Sequence, residues 1–144
     1  MTERFALDTG PLGRIAHTKT NPDAIAWFEG LIASGAELII PEIADYELRR
    51  ELIRARMSES INRLDLLKRK LRYLPIDTPT MLRAAEFWAE ARNRGRPSAD
   101  PKELDGDVIL AAQAERARAV VLTENIGHLS LFVEAMHWRD ITFS

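Results

Sequence analysis

Short runs of apolar residues alternate along this chain with longer segments in which apolar residues recur at helical spacing. The runs at residues 4–8, 36–41 and 119–124 are bounded by Gly, Pro or polar residues. Continuous runs of this length are typical of strands buried on both faces of a parallel sheet. Residues 73–77 predict a weaker strand or a crossing segment, and a last strand is expected around residues 138–142.

The segments between these strands carry helical signals. Asn21-Pro22-Asp23 is a typical helix start with proline near the first helical position, and this helix is predicted to run to Gly35. Residues 58–74 predict a helix, because their apolar side chains follow a 3.6-residue period that leaves the basic ones outside. Further helices are predicted at residues 42–56, from Thr78 onward, at 105–118 and at 128–136, with loops between the first strand and Asn21 and at residues 94–104.

Strands that alternate with helices imply parallel pairing and right-handed crossovers. We therefore predict an α/β fold, a three-layer sandwich with a short, mainly parallel central sheet. No Pro-, Gly- or Ser-rich linker divides the chain, so residues 1–144 are expected to form a single domain.

Composition changes this picture little. With 46% hydrophobic and 29% charged residues, the chain is typical of an ordinary globular protein and unlike a disordered one. It has no cysteine, which excludes disulfides and thiolate zinc sites. The N-terminal residues lack the apolar stretch of a signal peptide, and no run approaches the ~18 apolar residues of a membrane span. We expect a cytoplasmic protein that does not enter a membrane.

Polar side chains cluster where the predicted strands end. In open α/β sheets the ligand site lies beyond the carboxyl ends of the strands. At that rim, Asp8 ends the first predicted strand, and Glu47 lies about two turns into the helix after the second. Asp105 and Asp107 open the helix before the 119–124 strand, and Thr123 and Asn125 lie at the end of that strand. Gathered carboxylates cannot all stay ionised without a positive neutraliser. A hard cation held by oxygen ligands, Mg²⁺ or Mn²⁺, is the natural candidate.

Each of these residues also has a purely structural interpretation. Asp8 before a turn is compatible with a helix cap or an Asx-turn. Glu47 could belong to a solvated charged face. Asp105 is compatible with an N-cap that places Asp107 in the first turn of its helix. The histidines lack metal-ligand spacing and are expected to be loop or structural residues: His17, His128 and His137.

The tripeptide Asp8-Thr9-Gly10 matches the active-site tripeptide of aspartic proteases. Those enzymes need two aspartates that share a proton. This chain is mostly helical by periodicity and has no second Asp-Thr-Gly, which argues against the protease interpretation.

Four segments together point to a different family: "LDTGPLGRI", "PEIADYELRREL", "LDGDVILAAQA" and "VVLTENIGHL". In this order, and over nearly the whole chain, they resemble the motif blocks of PIN-domain ribonucleases, in particular the VapC-type toxins of bacterial toxin–antitoxin pairs. The resemblance places Asp8, Glu47 and Asp107 at three acidic positions of the family. Asn125, with Thr123, takes the fourth position, where an amide replaces a carboxylate.

The resemblance implies a PIN-like fold and a Mg²⁺- or Mn²⁺-dependent endoribonuclease. Asp8 and Asp107 would bind the metal directly, and Glu47 would complete the shell or hold ligated water. Asp105, two residues before Asp107, is a candidate to compensate for the amide at position 125. His128-Leu129 stands where the family often has Asp-Phe or His-Phe. The implied partners are RNA, a small antitoxin protein and a second copy in a homodimer.

Basic residues are concentrated between residues 49 and 72. This segment carries nine Lys and Arg against three acids, in a chain whose net charge is −2. Arg49, Arg50 and Arg54 are candidates to bind an RNA backbone, and Tyr46 could stack on a base. The same residues could simply form the exposed face of two helices.

Two other functions are compatible with these observations. A PIN fold that has lost catalysis could serve as a nucleic-acid- or protein-binding module, which the amide at Asn125 favours. Alternatively, the chain could be a PIN nuclease outside any toxin pair, acting in RNA processing or on DNA.

Overall fold

The computed structural model describes residues 3–17, 21–94 and 101–141. Its centre is a five-stranded sheet in the order β3-β2-β1-β4-β5, and every neighbouring pair is parallel. The strands are β1 (Arg4–Leu7), β2 (Glu37–Pro41), β3 (Arg72–Leu74), β4 (Val120–Thr123) and β5 (Ala135–His137). The α/β prediction with a parallel sheet is confirmed.

Helices cover both faces of this sheet. They are α1 (Thr9–Ala16), α2 (Pro22–Ala33), α3 (Glu42–Arg54), α4 (Ser58–Lys70), α5 (Thr78–Asn93), α6 (Pro101–Ala117) and α7 (Ile126–Leu129), with a 3₁₀ turn at Trp138–Asp140. Phe5 and Leu7 of β1 pack into one apolar cluster, and Ala6 packs into another on the opposite face. The strands are therefore buried on both faces, as their continuous apolar runs indicated.

Helix α1 is the element that the sequence pattern missed, since a loop was predicted there. Asp8 caps it: the side chain accepts a hydrogen bond from the Thr9 amide. Gly10 and Pro11 lie in the first turn, where a proline costs no hydrogen bond. Gly13 lies close to Leu48, because a Cβ built there would be 3.4 Å from Leu48 Cδ1. The residues that resemble a turn therefore allow a short helix to approach α3.

Several predicted boundaries were wrong. The helix predicted at 58–74 ends at Lys70, because residues 72–74 pair with β2 as strand β3. Helix α6 begins at Pro101, inside the predicted 94–104 loop, of which residues 95–100 lie outside the described part of the chain. The helix predicted at 128–136 is the shorter α7, and β5 precedes the predicted last strand. Trp138 leaves the sheet because it is buried against Trp27, with ring centroids 5.1 Å apart.

Gln113 on α6 links that helix to α3 and to strand β3 by hydrogen bonds. It is fully buried; its Oε1 accepts the Ile43 amide hydrogen at 3.2 Å and its Nε2 donates to the Leu74 carbonyl at 2.8 Å. Pro41, the N-cap residue of α3, has no side-chain group to cap that helix. Gln113 therefore supplies from another helix the acceptor that a local cap would give.

Candidate active site

Asp8 stands at the carboxyl end of β1, in the middle of the sheet. Its backbone amide donates to the Leu122 carbonyl at 2.9 Å, which continues the pairing of β1 with β4. One carboxylate oxygen accepts the Thr9 amide at 2.7 Å, and the other accepts the Thr123 hydroxyl at 2.8 Å. The backbone amide of Thr9 thus fixes one carboxylate oxygen, and the side chain of Thr123 on the neighbouring strand fixes the other.

Glu47 reaches the same point from α3. Its Oε1 accepts a hydrogen bond from the Thr9 hydroxyl at 3.2 Å, so Thr9 contacts both Asp8 and Glu47. The other oxygen lies against Gly106 on α6, where an added Cβ would come within 2.6 Å of Glu47 Oε2. A glycine at position 106 is therefore required by this placement of the Glu47 carboxylate.

Asp107 directly follows Gly106, the residue of α6 that Glu47 contacts, and it faces α7. His128 Nδ1 lies 3.7 Å from Asp107 Oδ2 and 3.3 Å from Asn125 Nδ2. The backbone N–H of Asn125 donates to the Thr123 hydroxyl at 2.9 Å. A continuous series of contacts thus runs from Glu47 through Thr9, Asp8, Thr123, Asn125 and His128 to Asp107.

Asp105 does not join this series. Residues two positions apart on a helix are separated by about 200° around its axis. Asp105 is exposed and lines a groove of about 440 Å³ between α5 and α6, together with Met81, Trp88 and Val108. Because α6 starts at Pro101, neither Asp105 nor Asp107 opens the helix, so the N-cap and first-turn interpretations were wrong.

The pKa of the Asp8 carboxyl is raised above its ordinary value. Burial is the largest cause; hydrogen bonds from Thr123 and Thr9 oppose it, and repulsion from Glu124 adds to it. Glu124 itself is held ionised, with its pKa lowered chiefly by hydrogen bonds from Arg14 at 2.7 Å to each carboxylate oxygen. Because Arg14 and Glu124 are 110 residues apart in sequence, no local pattern could predict this pair.

The pKa of the Glu47 carboxyl is also raised. Burial is again the largest cause, the hydrogen bond from Thr9 opposes it, and repulsion from Asp8 contributes further. Arg50, whose guanidinium lies 3.9 Å from Glu47 Oε2, lowers the pKa by a smaller amount. Two half-buried carboxylates thus repel one another at the edge of the sheet, an arrangement that favours binding of a cation.

The predicted RNA-binding arginines differ in their surroundings. Arg49 is bound to Asp45 at 2.9 Å and to Asp65 at 2.7 Å, and Arg54 is bound to Glu51 at 2.8 Å. Arg50 lies beside Glu47 and above the ring of Tyr46, 5.0 Å from its centroid. Tyr46 is 56% exposed. Of the three arginines, Arg50 is the one that the structure brings to the candidate site.

Within the described ranges, no three His, Asp or Glu side chains converge closely enough to hold a metal ion as they stand. The same part of the chain contains no helix that is long and apolar enough to cross a membrane.

We expect Asp8→Asn to stabilise the metal-free protein at neutral pH. A carboxyl whose pKa is raised above its ordinary 3.8 by folding favours the folded state only while it is protonated. That contribution is present below the ordinary value and is lost as pH rises through the folded-state pKa. Thermal unfolding in chelator should therefore give the variant a higher Tm than wild type at pH 7. The difference in Tm between variant and wild type should shrink towards pH 4. If the two proteins have the same Tm at both pH values, the raised pKa of Asp8 is contradicted.

Comparison with known proteins agrees with this architecture. The PIN domain family model matches residues 6–130. VapBC2 from Rickettsia felis bound to a DNA fragment from their promoter has a chain with TM-score 0.76 and 17% identity, over 94% of this chain and 98% of that chain. For FitAcB from Neisseria gonorrhoeae the TM-score is 0.67 and the identity 22%, over 95% of this chain and 99% of that chain. For VapBC-1 from nontypeable Haemophilus influenzae the TM-score is 0.68 and the identity 21%, over 95% of this chain and 99% of that chain.

No curated protein sequence matches the chain significantly. The structural likenesses lie below a quarter identity and therefore show a shared fold, while the family model covers most of the chain from β1 to α7. The resemblance predicted from the four sequence segments is confirmed: this chain belongs to the PIN domain family.

Proposed function

We propose that this protein is a metal-dependent endoribonuclease and the toxin of a toxin–antitoxin pair. The observation that carries the proposal is the pair of coupled carboxylates, Asp8 and Glu47, connected to Asp107 through one network at the carboxyl edge of a PIN-family sheet. The proposal places the protein in the cytoplasm with its RNA substrate.

The site fits a divalent cation in its donor chemistry. Asp8, Glu47 and Asp107 offer carboxylate oxygens, the ligands that Mg²⁺ and Mn²⁺ accept. Burial chiefly raises the pKa values of Asp8 and Glu47, with a smaller contribution from Glu124 at Asp8 and from Asp8 at Glu47, so a bound cation relieves an existing cost. A bound ion of this kind lowers the pKa of water and polarises a phosphate.

The surrounding residues hold the carboxylates in place. The Thr9 hydroxyl donates to Glu47 while its amide donates to Asp8, which fixes their relative positions. The Thr123 hydroxyl donates to the second Asp8 oxygen and accepts a hydrogen bond from the backbone N–H of Asn125. In this proposal Asn125 and Thr123 orient Asp8 and take no part as ligands. Asp105 has no place in the site.

RNA would enter beside α3. Arg50 is 54% exposed in its side chain and close to Glu47, so it can bind a phosphate adjacent to the scissile one. The exposed ring of Tyr46 next to it is suited to stack on an unpaired base. Arg49 and Arg54 already satisfy carboxylates, and we assign them smaller contributions.

The toxin assignment is supported by what the structurally similar proteins are. They come from VapBC and FitAB complexes, some of them bound to DNA. We infer a cognate antitoxin for this chain and a homodimeric toxin, both on the basis of family resemblance.

The proposal is tested by incubating the purified protein with total cellular RNA in Mg²⁺, Mn²⁺ or chelator and mapping the new 5′ ends. Discrete cuts that need metal and disappear in Asp8→Asn support a nuclease. The alternative, a PIN-fold module without catalysis, is favoured by the amide at Asn125. It would account for an intact protein that binds RNA but produces no cuts.

Gly106→Ala should separate activity from stability. Alanine is favoured over glycine inside a helix by about 1 kcal/mol, but its Cβ would displace the Glu47 carboxylate. We expect unchanged or higher stability with cleavage reduced about tenfold or more. Gly127→Ala is the matched control, because a Cβ there meets nothing within 4 Å. Equal activity of the two variants would show that the position of Glu47 is unimportant.

A further inference from the structure

We infer that Arg14, held in place by Glu124, binds a phosphate of the RNA on the β4 side of Asp8, while Arg50 binds another on the β2 side. The inference rests on the proposed function and concerns the path of the substrate. An RNA strand would cross the carboxyl edge of the sheet with the phosphate to be cleaved between the two arginines. Neither Arg14 nor Glu124 was among the candidate residues predicted from the sequence.

Helix α1 presents two neighbouring faces to the two sides of the site. Its residue Thr9 donates to Glu47 and so faces α3. Gly10 and Arg14 lie about one turn apart on the next face, about 100° around the helix axis. Both are close to Glu124, whose Oε1 would lie 2.8 Å from a Cβ at position 10 and accepts a hydrogen bond from Arg14 Nε at 2.7 Å. This second face therefore points towards the end of β4, which Glu124 directly follows.

The order of the strands places the two arginines on either side of Asp8. Asp8 follows β1, which lies between β2 and β4. Arg50 belongs to α3, the helix after β2, and Arg14 is bound to the residue after β4. The two strands that flank β1 lie about 10 Å apart, which matches roughly three nucleotides of a strand with a rise of about 3.4 Å each. One RNA strand can therefore contact both arginines while it passes Asp8.

The ion pair with Glu124 leaves Arg14 enough donors to bind a phosphate. A guanidinium has five N–H donors, and Glu124 accepts one from Nε and one from Nη2, each at 2.7 Å. Among the residues that the structure describes, no hydrogen bond of Arg14 uses Nη1. The Nη1 and Nη2 edge, with three N–H groups, is therefore available, and 39% of the side chain is exposed. Such an edge has the fork geometry in which arginine binds two oxygens of one phosphate.

Glu124 also holds the guanidinium in one orientation before RNA binds. Two parallel hydrogen bonds fix the plane of the group, and Arg14 Cζ lies 5.9 Å from the ring centroid of the buried Trp138. Attraction to His137 and Arg139 contributes, after the hydrogen bond from Arg14, to the lowered pKa of Glu124, so this carboxylate stays ionised and paired. A side chain that is already ordered loses less entropy when it binds a phosphate.

The test measures RNA binding and needs no catalysis. The probe is a fluorescently labelled single-stranded RNA of mixed sequence, titrated with the whole chain in chelator at several salt concentrations. Replacing both members of the ion pair, Arg14→Gln together with Glu124→Gln, leaves the net charge unchanged. We expect this double variant to bind RNA about tenfold more weakly, because a charged hydrogen-bonded contact is lost. The slope of log Kd against log salt concentration should fall by about 0.7, the value for one phosphate contact of a single strand.

A matched control is the double variant Arg83→Gln with Glu115→Gln. This pair is also neutral overall, and Arg83 Nε lies 2.7 Å from Glu115 Oε2, but it joins α5 to α6 away from the carboxyl edge of the sheet. The control should bind RNA as wild type does. Adding Arg50→Gln to the Arg14 and Glu124 double variant should multiply the two losses, because the arginines bind separate phosphates.

The outcomes separate this inference from the function on which it rests. Wild-type affinity in the Arg14 and Glu124 double variant overturns the phosphate contact and leaves the proposed nuclease intact. An equal loss of affinity in the Arg83 and Glu115 control overturns the contact as well, since the effect is then general. Arg50→Gln that causes no further loss overturns the two-sided path. Folded wild type that binds no RNA contradicts both the inference and the proposed function. Far-UV circular dichroism and Tm establish that each variant is folded.

Discussion

Replacing Asp107 by Asn is expected to reduce metal-dependent RNA cleavage by at least about a hundredfold, because loss of groups that merely support metal ligands already costs ten- to a hundredfold. The side chain keeps its size, and the fold should persist. The matched variant Asp105→Asn lies on the same helix two residues away and should retain nearly full activity, since its side chain faces α5. Initial rates on one mapped RNA substrate, with Tm recorded for each protein, provide the measurement.

This pair of variants tests the structure against the sequence motif, because the two give Asp105 different roles. The sequence alone allowed Asp105 to compensate for the amide at position 125, whereas the structure places it in the groove beside Met81 and Trp88. If Asp105→Asn is as inactive as Asp107→Asn, the placement of α6 relative to the site is wrong. If both are active, the carboxylates at this edge do not carry the reaction.

Gln113→Leu is expected to lower the free energy of unfolding by about 3 kcal/mol, since each buried polar group left unpaired costs about 1 to 3 kcal/mol. The two groups concerned are the Ile43 amide and the Leu74 carbonyl, both of which bond to the Gln113 side chain. Leucine fits the volume, so the loss reflects hydrogen bonding and not a cavity. Urea denaturation monitored by circular dichroism measures the change.

Glu115→Gln on the same helix is a control for this prediction. Glu115 is exposed and binds Arg83 at 2.7 Å, a surface ion pair that contributes about 1 kcal/mol or less. A Gln113→Leu protein with wild-type stability would mean that water or a rearranged backbone satisfies Ile43 and Leu74.

The sequence predicted the layers of the fold because its strands are buried on both faces and its longer helices are periodic. It also predicted that Asp8, Glu47 and Asp107 lie at one edge of the sheet, since their positions relative to strands and motif blocks do not depend on exact boundaries; that they form the site stays a prediction. Thr9 could not be identified, because its contacts require helix α1. Gly10 and Pro11 are typical of a turn, so the sequence did not predict this helix.

Other site features depend on distances that no local pattern contains. The predicted place of Asp105 at the start of a helix was wrong, because α6 begins at Pro101 and other residues occupy its first turn. Arg14 and Glu124 meet across 110 positions of sequence, and His128 reaches Asp107 through the short turn that follows β4. Tertiary packing fixes these contacts, so they had to be observed.

The pairing of β1 with β4 has a consequence for the synthesis of this protein. Thr123, which holds one oxygen of Asp8, is 115 residues further along the chain. Domains fold as the chain emerges from the ribosome, N-terminal part first. A partly made chain therefore lacks the strand and the hydroxyl that complete the carboxylate cluster. If the protein cuts RNA, the ribosome that makes it is exposed to a competent enzyme only after nearly all of the domain has been translated.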